Sequence, residues 1–156
     1  MTGPSHVSPP RVLAISSGGG HWVQLLRLAP AFEGAEVHYA CTDADAAGDV
    51  SAAPFYSYPD ANKNQPIKLA LTAIRIACII VRVRPDVIVS TGAAGGGLAV
   101  MMGRWLGIRS LFVDSIANAK ELSVSAKLAL RAADAVFTQW PKVAAQTPAV
   151  FRGSVL

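Results

Sequence analysis

The sequence predicts a single α/β domain built on a doubly wound, mostly parallel sheet, and three observations predict it. Apolar strand-like runs alternate with helical patterns along most of the chain, and this alternation favours parallel strands joined by right-handed crossovers. Two of the runs empty into glycine clusters that lead straight into a helix, Ser17-Gly18-Gly19-Gly20-His21 and Thr91-Gly92-Ala93-Ala94-Gly95-Gly96-Gly97. Hydrophobic residues fill 52% of the 156 positions, enough to bury a sheet on both faces.

Residues 12–16 read as the first strand and residues 22–32 as the helix after the first glycine cluster. Residues without Cβ let the backbone turn sharply and bring its N–H groups close to a ligand. The first turn of the following helix adds unpaired donors and a positive dipole end. Phosphate or pyrophosphate is the guest such a turn suits, although a glycine turn also serves simply to pack strand and helix together. Residues 36–41 read as a second strand and residues 55–58 as a short extended piece. Between them, Asp43-Ala44-Asp45 has the letters of a metal-binding carboxylate pair. Lying after a strand among alanines, it reads as a loop or helix-start signal and not as a metal site.

Residues 60–66 form a polar connection ending in Pro66, suited to a first helical turn, and residues 67–83 read as a long helix. The window 61–85 holds Lys63, Lys68, Arg75, Arg82 and Arg84 and no acid, so the remainder of a chain of net charge +4 is close to neutral. Lys68, Arg75 and Arg82 recur every seven residues and share one stripe. The apolar arc beside them is wider than one sheet contact uses, and a basic stripe bordering apolar surface suits an anionic membrane. The other reading is a helix sandwiched within the fold with ordinary solvated cations.

Residues 87–90 are the next strand, followed by the second glycine cluster and a helix over residues 98–106. Loops after two different strands of an open parallel sheet face one crevice beyond the carboxyl ends. Neither cluster is GxxxxGK[ST], and the first is not GxGxxG. A strand over 110–113, a helix over 123–131 and a strand over 135–138 follow. After Gln139-Trp140-Pro141 comes a short helical run, and the chain then stops without a further strand–helix unit. Two ligand loops with no opposing wall imply that something else supplies it, such as a second polypeptide.

Residues 1–10, rich in Pro and Ser and without an apolar core, are expected to be a disordered lead-in rather than a signal peptide, and residues 11–156 the domain. No stretch is long and apolar enough to span a bilayer. Cys41 and Cys78 match no metal or redox spacing and are expected to be core thiols in a reducing compartment. Cations gathered on an apolar helix without interleaved aromatics argue against nucleic acid as a partner.

Several segments carry a resemblance: Ser17-Gly18-Gly19-Gly20-His21, Pro59-Asp60-Ala61-Asn62-Lys63, Pro85-Asp86-Val87-Ile88-Val89-Ser90-Thr91-Gly92, Val113-Asp114-Ser115-Ile116, Leu122-Ser123-Val124-Ser125-Ala126-Lys127 and Gln139-Trp140-Pro141. In this order, across nearly the whole chain, they resemble the acceptor-binding subunit of split GT-B glycosyltransferases. That family includes the eukaryotic asparagine-linked glycosylation protein numbered fourteen and the PssD and EpsE type proteins of bacterial exopolysaccharide and capsule synthesis. The resemblance implies a Rossmann-like fold equivalent to the N-terminal, acceptor domain of MurG-like enzymes. It implies a subunit that binds a polyprenyl-pyrophosphate-linked saccharide and recruits a separate donor-binding subunit, of the GT-B C-terminal-half type, to the cytoplasmic face of the membrane. The donor would be a nucleotide sugar, usually a UDP-sugar, transferred as a hexosyl or N-acetylhexosaminyl group with no metal or other cofactor. Two departures stand out: the eukaryotic subunit usually begins with a membrane-spanning helix, absent here, and Asp114 stands where the family commonly has Glu, with Asn118 where a basic residue is frequent.

From these residues Ser17, Gly18, Gly19 and Gly20 are expected to cradle the acceptor pyrophosphate or the charge developing at transfer, with Thr91, Gly92, Gly95 and Gly96 as the opposite lip. His21, at a helix start, is the candidate base for the acceptor hydroxyl, and Asp114, at the carboxyl edge of a strand, the alternative. A capping histidine and a loop carboxylate paired with Lys120 or Arg109 are the structural readings of the same residues. Lys68, Arg75 and Arg82 are the candidate membrane-facing cations. Trp140 is a candidate partner contact or a packing residue. The competing functions are a non-catalytic membrane scaffold for the partner and a stand-alone Rossmann-type nucleotide enzyme.

Overall fold

The computed structural model describes residues 8–50, 52–62 and 64–155. Residues 1–7 of the expected lead-in and Lys63 of the basic window lie outside the described residues.

The first strand lies inside the sheet, with neighbours on both sides. Strand β1 (Arg11–Ser16) pairs on one side with β2 (Glu36–Cys41), which pairs with β3 (Phe55–Ser57), and on the other side with β4 (Val87–Ser90). Beyond β4 lie β5 (Arg109–Val113), β6 (Ala135–Thr138) and β7 (Val150–Phe151), giving a seven-stranded, all-parallel sheet of order β3-β2-β1-β4-β5-β6-β7. Strand order therefore reverses between β1 and β4, where Ile15 is in register with both Ala40 and Ser90.

Side chains alternate across a strand, so β1 serves two cores at once. Leu13 and Ile15 join Ile88 and Phe112 under one helical layer, while Val12 and Ala14 join Tyr39, Cys41 and Val89 on the opposite face. The first layer consists of α2 (Pro66–Val83), α3 (Ala93–Trp105) and α4 (Val124–Ala129), packed side by side. Helix α2 contributes Ile76, Ile79, Ile80 and Val83, all at most 3% exposed. At roughly 1.5–3 kcal/mol per fully buried aliphatic side chain, this single face anchors the crossover from β3 to β4. The opposite layer is α1 (Gly20–Arg27), whose Trp22 and Leu25 are buried against β1 and β2.

Several boundaries differ from expectation for local reasons. The helix expected over 22–32 ends at Arg27 and continues only as a 3-10 turn, Ala29–Phe32, because Pro30 lacks the N–H that would continue the ladder. Helix α3 begins at Ala93, five residues before the expected 98, since its glycines lie inside the helix. A short helix α5 (Pro141–Ala144) precedes β7, a two-residue strand too brief for any periodicity to reveal. Of the two thiols expected in the core, Cys41 is buried but Cys78 is exposed on α2. The helix is apolar on more of its circumference than the sheet covers.

Candidate functional site

Because β1 and β4 are neighbours at the reversal point, the loops after them meet above their carboxyl ends. Helix α1 closes its first turn with the Val23 amide donating to Gly19 O at 3.1 Å, which leaves the amides of Gly20, His21 and Trp22 without a helical acceptor. Gly19, at φ +67, supplies the positive-φ turn that leads into them. Gly18 does not join them as expected: its amide donates to Thr42 Oγ1 at 2.9 Å, and its hydrogen faces Asp43 Cβ. Ser17 is half-buried beside it. Asp43 Oδ1 in turn accepts from the Asp45 amide at 3.0 Å, so the Asp-Ala-Asp segment starts a 3-10 turn, Asp45–Val50.

The two loops are stapled together through His21 and Thr91. Thr91 Oγ1 donates to His21 O at 2.7 Å, and His21 Nδ1 lies 2.9 Å from Thr91 O. A carbonyl only accepts, so the neutral ring carries its proton on Nδ1 and keeps the Nε2 lone pair free. Gly92 permits this contact, since a Cβ there would stand 2.5 Å from the imidazole.

Gly95 and Gly96, expected on the lip, face the sheet instead. A Cβ on Gly95 would meet the Tyr58 ring at 2.4 Å and one on Gly96 would meet Ser90 Oγ at 1.9 Å. Their lack of side chains answers to helix–sheet packing, and the exposed edge of the second loop falls to Ala93 and Ala94. Tyr58, buried by that contact, donates its hydroxyl to Ser16 O at 2.7 Å, and burial pushes its phenol well above the usual value.

Asp114 is 1% exposed and both of its carboxylate oxygens are engaged. Oδ1 accepts from Asn118 Nδ2 at 3.0 Å and Oδ2 from the Ser123 amide at 2.9 Å. Its backbone carbonyl accepts from Gln24 Nε2 at 3.2 Å and Gln139 Nε2 at 3.0 Å. The expectation of a free base, or of a pair with Lys120 or Arg109, gives way to a carboxylate that fixes the loop of residues 115–123. Trp140 secures the same loop by donating Nε1–H to Ile116 O at 2.7 Å, and its ring is half-buried. Sequence reasoning did not single out Gln24, and it quoted Gln139 and Ala93 only within longer segments, without a role. The glutamine on the buried face of α1 and the matching segment at Gln139 were the available signals.

The loop so held walls a polar hollow of about 250 Å³, lined by His21, Ser115, Asn118, Ser123 and Ser125 along with Ala93 and Val124. It adjoins an apolar cavity of about 490 Å³ between α2, α3 and α4, lined by Leu69, Leu98, Met101 and Leu128. Ala93, Val124 and Ser125 belong to both walls. Outward from the cavity, Ile67, Leu71, Ile74 and Val81 on α2 are 80%, 55%, 62% and 68% exposed, with Lys68, Arg75 and Arg82 exposed alongside. Helix α2 is thus not sandwiched. Val124, Leu128, Trp105 and Leu106 extend exposed apolar surface over α4 and the end of α3. No helix among the described residues is long and apolar enough to cross a membrane.

A family model described as "Oligosaccharide biosynthesis protein Alg14 like" matches residues 61–155, more than half of the chain. No curated protein matches the chain by sequence. MurG of Acinetobacter baumannii superimposes with a TM-score of 0.75 at 19% identity, over 93% of this chain and 44% of that one. UDP-N-acetylglucosamine 2-epimerase of Rickettsia bellii gives 0.68 at 13%, over 86% and 40%, and the Neisseria meningitidis epimerase bound to UDP-GlcNAc gives 0.62 at 9%, over 83% and 40%. Identities this low carry the fold alone. The chain spans less than half the length of each of these structures.

Proposed function

The chain belongs to the Alg14-like family of oligosaccharide biosynthesis proteins, and from that membership we propose that it is the acceptor-binding subunit of a two-chain glycosyltransferase. On this reading residues 11–156 act as one GT-B N-terminal-type domain. A separate donor-binding subunit, of the C-terminal-half type, brings a nucleotide sugar, a UDP-sugar in the simplest case. The acceptor is a saccharide on polyprenyl pyrophosphate, met at the cytoplasmic face of the membrane.

One observation carries the proposal: the polar hollow at His21 shares a wall with an apolar cavity, a pairing that suits a ligand with a polar head and a hydrocarbon tail. The amides of Gly20, His21 and Trp22 and the positive end of α1 offer the diphosphate its donors. The apolar outer face with Lys68, Arg75 and Arg82 suits an anionic bilayer, each cation contributing about 1 kcal/mol near the surface.

In the reaction, His21 Nε2 takes the proton of the acceptor hydroxyl as its oxygen bonds to the anomeric carbon of the donor sugar. The bond from that carbon to the nucleotide diphosphate breaks, and the diphosphate leaves with the electron pair. Thr91 O holds the imidazole through Nδ1 and stabilises the charge it gains. Asp114 positions the wall and does not touch the acceptor.

The test is transfer from labelled nucleotide sugar to lipid-linked acceptor in vesicles, with the protein purified together with its membrane partner. His21→Ala is expected to lower kcat on the order of 10²–10⁴-fold with partner recruitment intact. Undiminished turnover with recruitment intact would leave the scaffold reading in its place.

A further inference from the structure

A second concave site lies at the other end of α2 from the acceptor cavity, between that helix and the edge strand β3. It encloses about 420 Å³ and is lined by Tyr56, Arg75, Cys78, Ile79 and Arg82. None of these is a carboxylate, and neither guanidinium forms an ion pair among the described residues. Arg75 is held in place by its Nε–H, which donates to Ser57 O at 3.1 Å, so its terminal nitrogens remain available. Arg82 makes no hydrogen bond to protein among the described residues. The two arginines are seven residues apart, about 10 Å along the helix axis, and the small Cys78 between them leaves the cleft open. The carboxylate joined to the cleft wall, Glu36, is already shared: His38 Nε2 lies 2.9 Å from it and Arg11 Nε 3.4 Å, while His38 Nδ1 lies 3.3 Å from Tyr56 Oη.

We infer that this cleft is a binding site for a phosphate monoester, gripped from both ends by Arg75 and Arg82. Two guanidiniums facing one hollow, one of them pre-oriented by a backbone carbonyl, form a fork that matches the oxygens of a phosphate group. The same chemistry is offered by the monoester headgroup of phosphatidic acid and by a soluble phosphate monoester. The lipid source fits the position, because the cleft opens beside Ile74 and Val81, whose exposed side chains would lie against acyl chains. The site is separate from the hollow at His21 and takes no part in the transfer step; it shares Arg75 and Arg82 with the proposed membrane face, and the soluble phosphate probes separate a binding cleft from a merely charged surface.

Solution NMR on the full chain tests it with short-chain phosphatidic acid, glycerol 3-phosphate and inorganic phosphate. Saturable shifts are expected at Tyr56, Arg75, Cys78 and Arg82, lost in Cys78→Phe, which fills the cleft without altering charge, and in Arg75→Gln/Arg82→Gln. Lys68→Gln, outside the cleft, should leave them unchanged. Affinity for phosphatidic acid about tenfold or more above that for glycerol 3-phosphate assigns the lipid source, and equal affinity the soluble one; both uphold the cleft. Shifts that are absent, that spread equally to Lys68, or that survive in a folded Cys78→Phe protein overturn it.

Discussion

Ala93 occupies the left-handed region, at φ +63, on the shared wall of the two hollows. An L-residue there costs about 1–2 kcal/mol, so Ala93→Gly should stabilise the fold by about 1 kcal/mol, read as a rise in the urea midpoint at unchanged slope. Tyr58 gives the chain a dependence on alkaline pH. Burial raises its folded pKa, so the stability it confers is complete below the unfolded value, near 10, and declines as pH rises above that value. Tyr58→Phe should flatten that decline while costing about 1 kcal/mol for the lost bond to Ser16 O, as urea midpoints across the alkaline range will record. At this scale His21 was legible in the sequence because it sits between a glycine turn and a helix. Asp114 was legible as a residue but not as a role, since its partners Gln24 and Gln139 lie 90 and 25 positions away and only the packing of α1 and of the segment after β6 brings them together.

Helix α2 turns one face to the core and leaves another bare, and its three cations, spaced seven residues apart, border the bare one. Replacing Lys68, Arg75 and Arg82 together by Gln should weaken binding to anionic vesicles by about 3 kcal/mol, roughly a hundredfold, in a sedimentation assay. Unfolding should shift by no more than about 0.5 kcal/mol per site, because the three side chains are exposed. Equal vesicle binding by the variant would remove this face from the account of membrane attachment. The strands over 36–41, 87–90 and 135–138 were fully legible, being apolar runs bounded by turns. The start of α3 was not. Glycine in sequence signals a loop or a close approach, and at Gly95 and Gly96 only the opposing Tyr58 and Ser90 decide which.

As a whole, the molecule presents a polar hollow and an apolar, basic surface on different parts of one layered fold. The carboxyl edge of the sheet holds the polar hollow, and the α2–α3–α4 layer presents the apolar and basic surface. The doubly wound topology was legible from strand–helix alternation, and its reversal point between β1 and β4 coincides with the two glycine clusters that marked the site. The joined cavities were not legible, because their common wall comes from α3 and α4, elements whose approach depends on packing across the whole layer.

That common wall has a kinetic consequence. On the proposed reading, an acceptor whose head and tail occupy adjoining chambers is delivered laterally, out of the bilayer plane, and never crosses bulk water as a monomer. Encounter then happens in two dimensions. At fixed total acceptor, diluting it with inert lipid should slow transfer in proportion to its falling mole fraction, whereas a site filled from solution would be indifferent to the diluent.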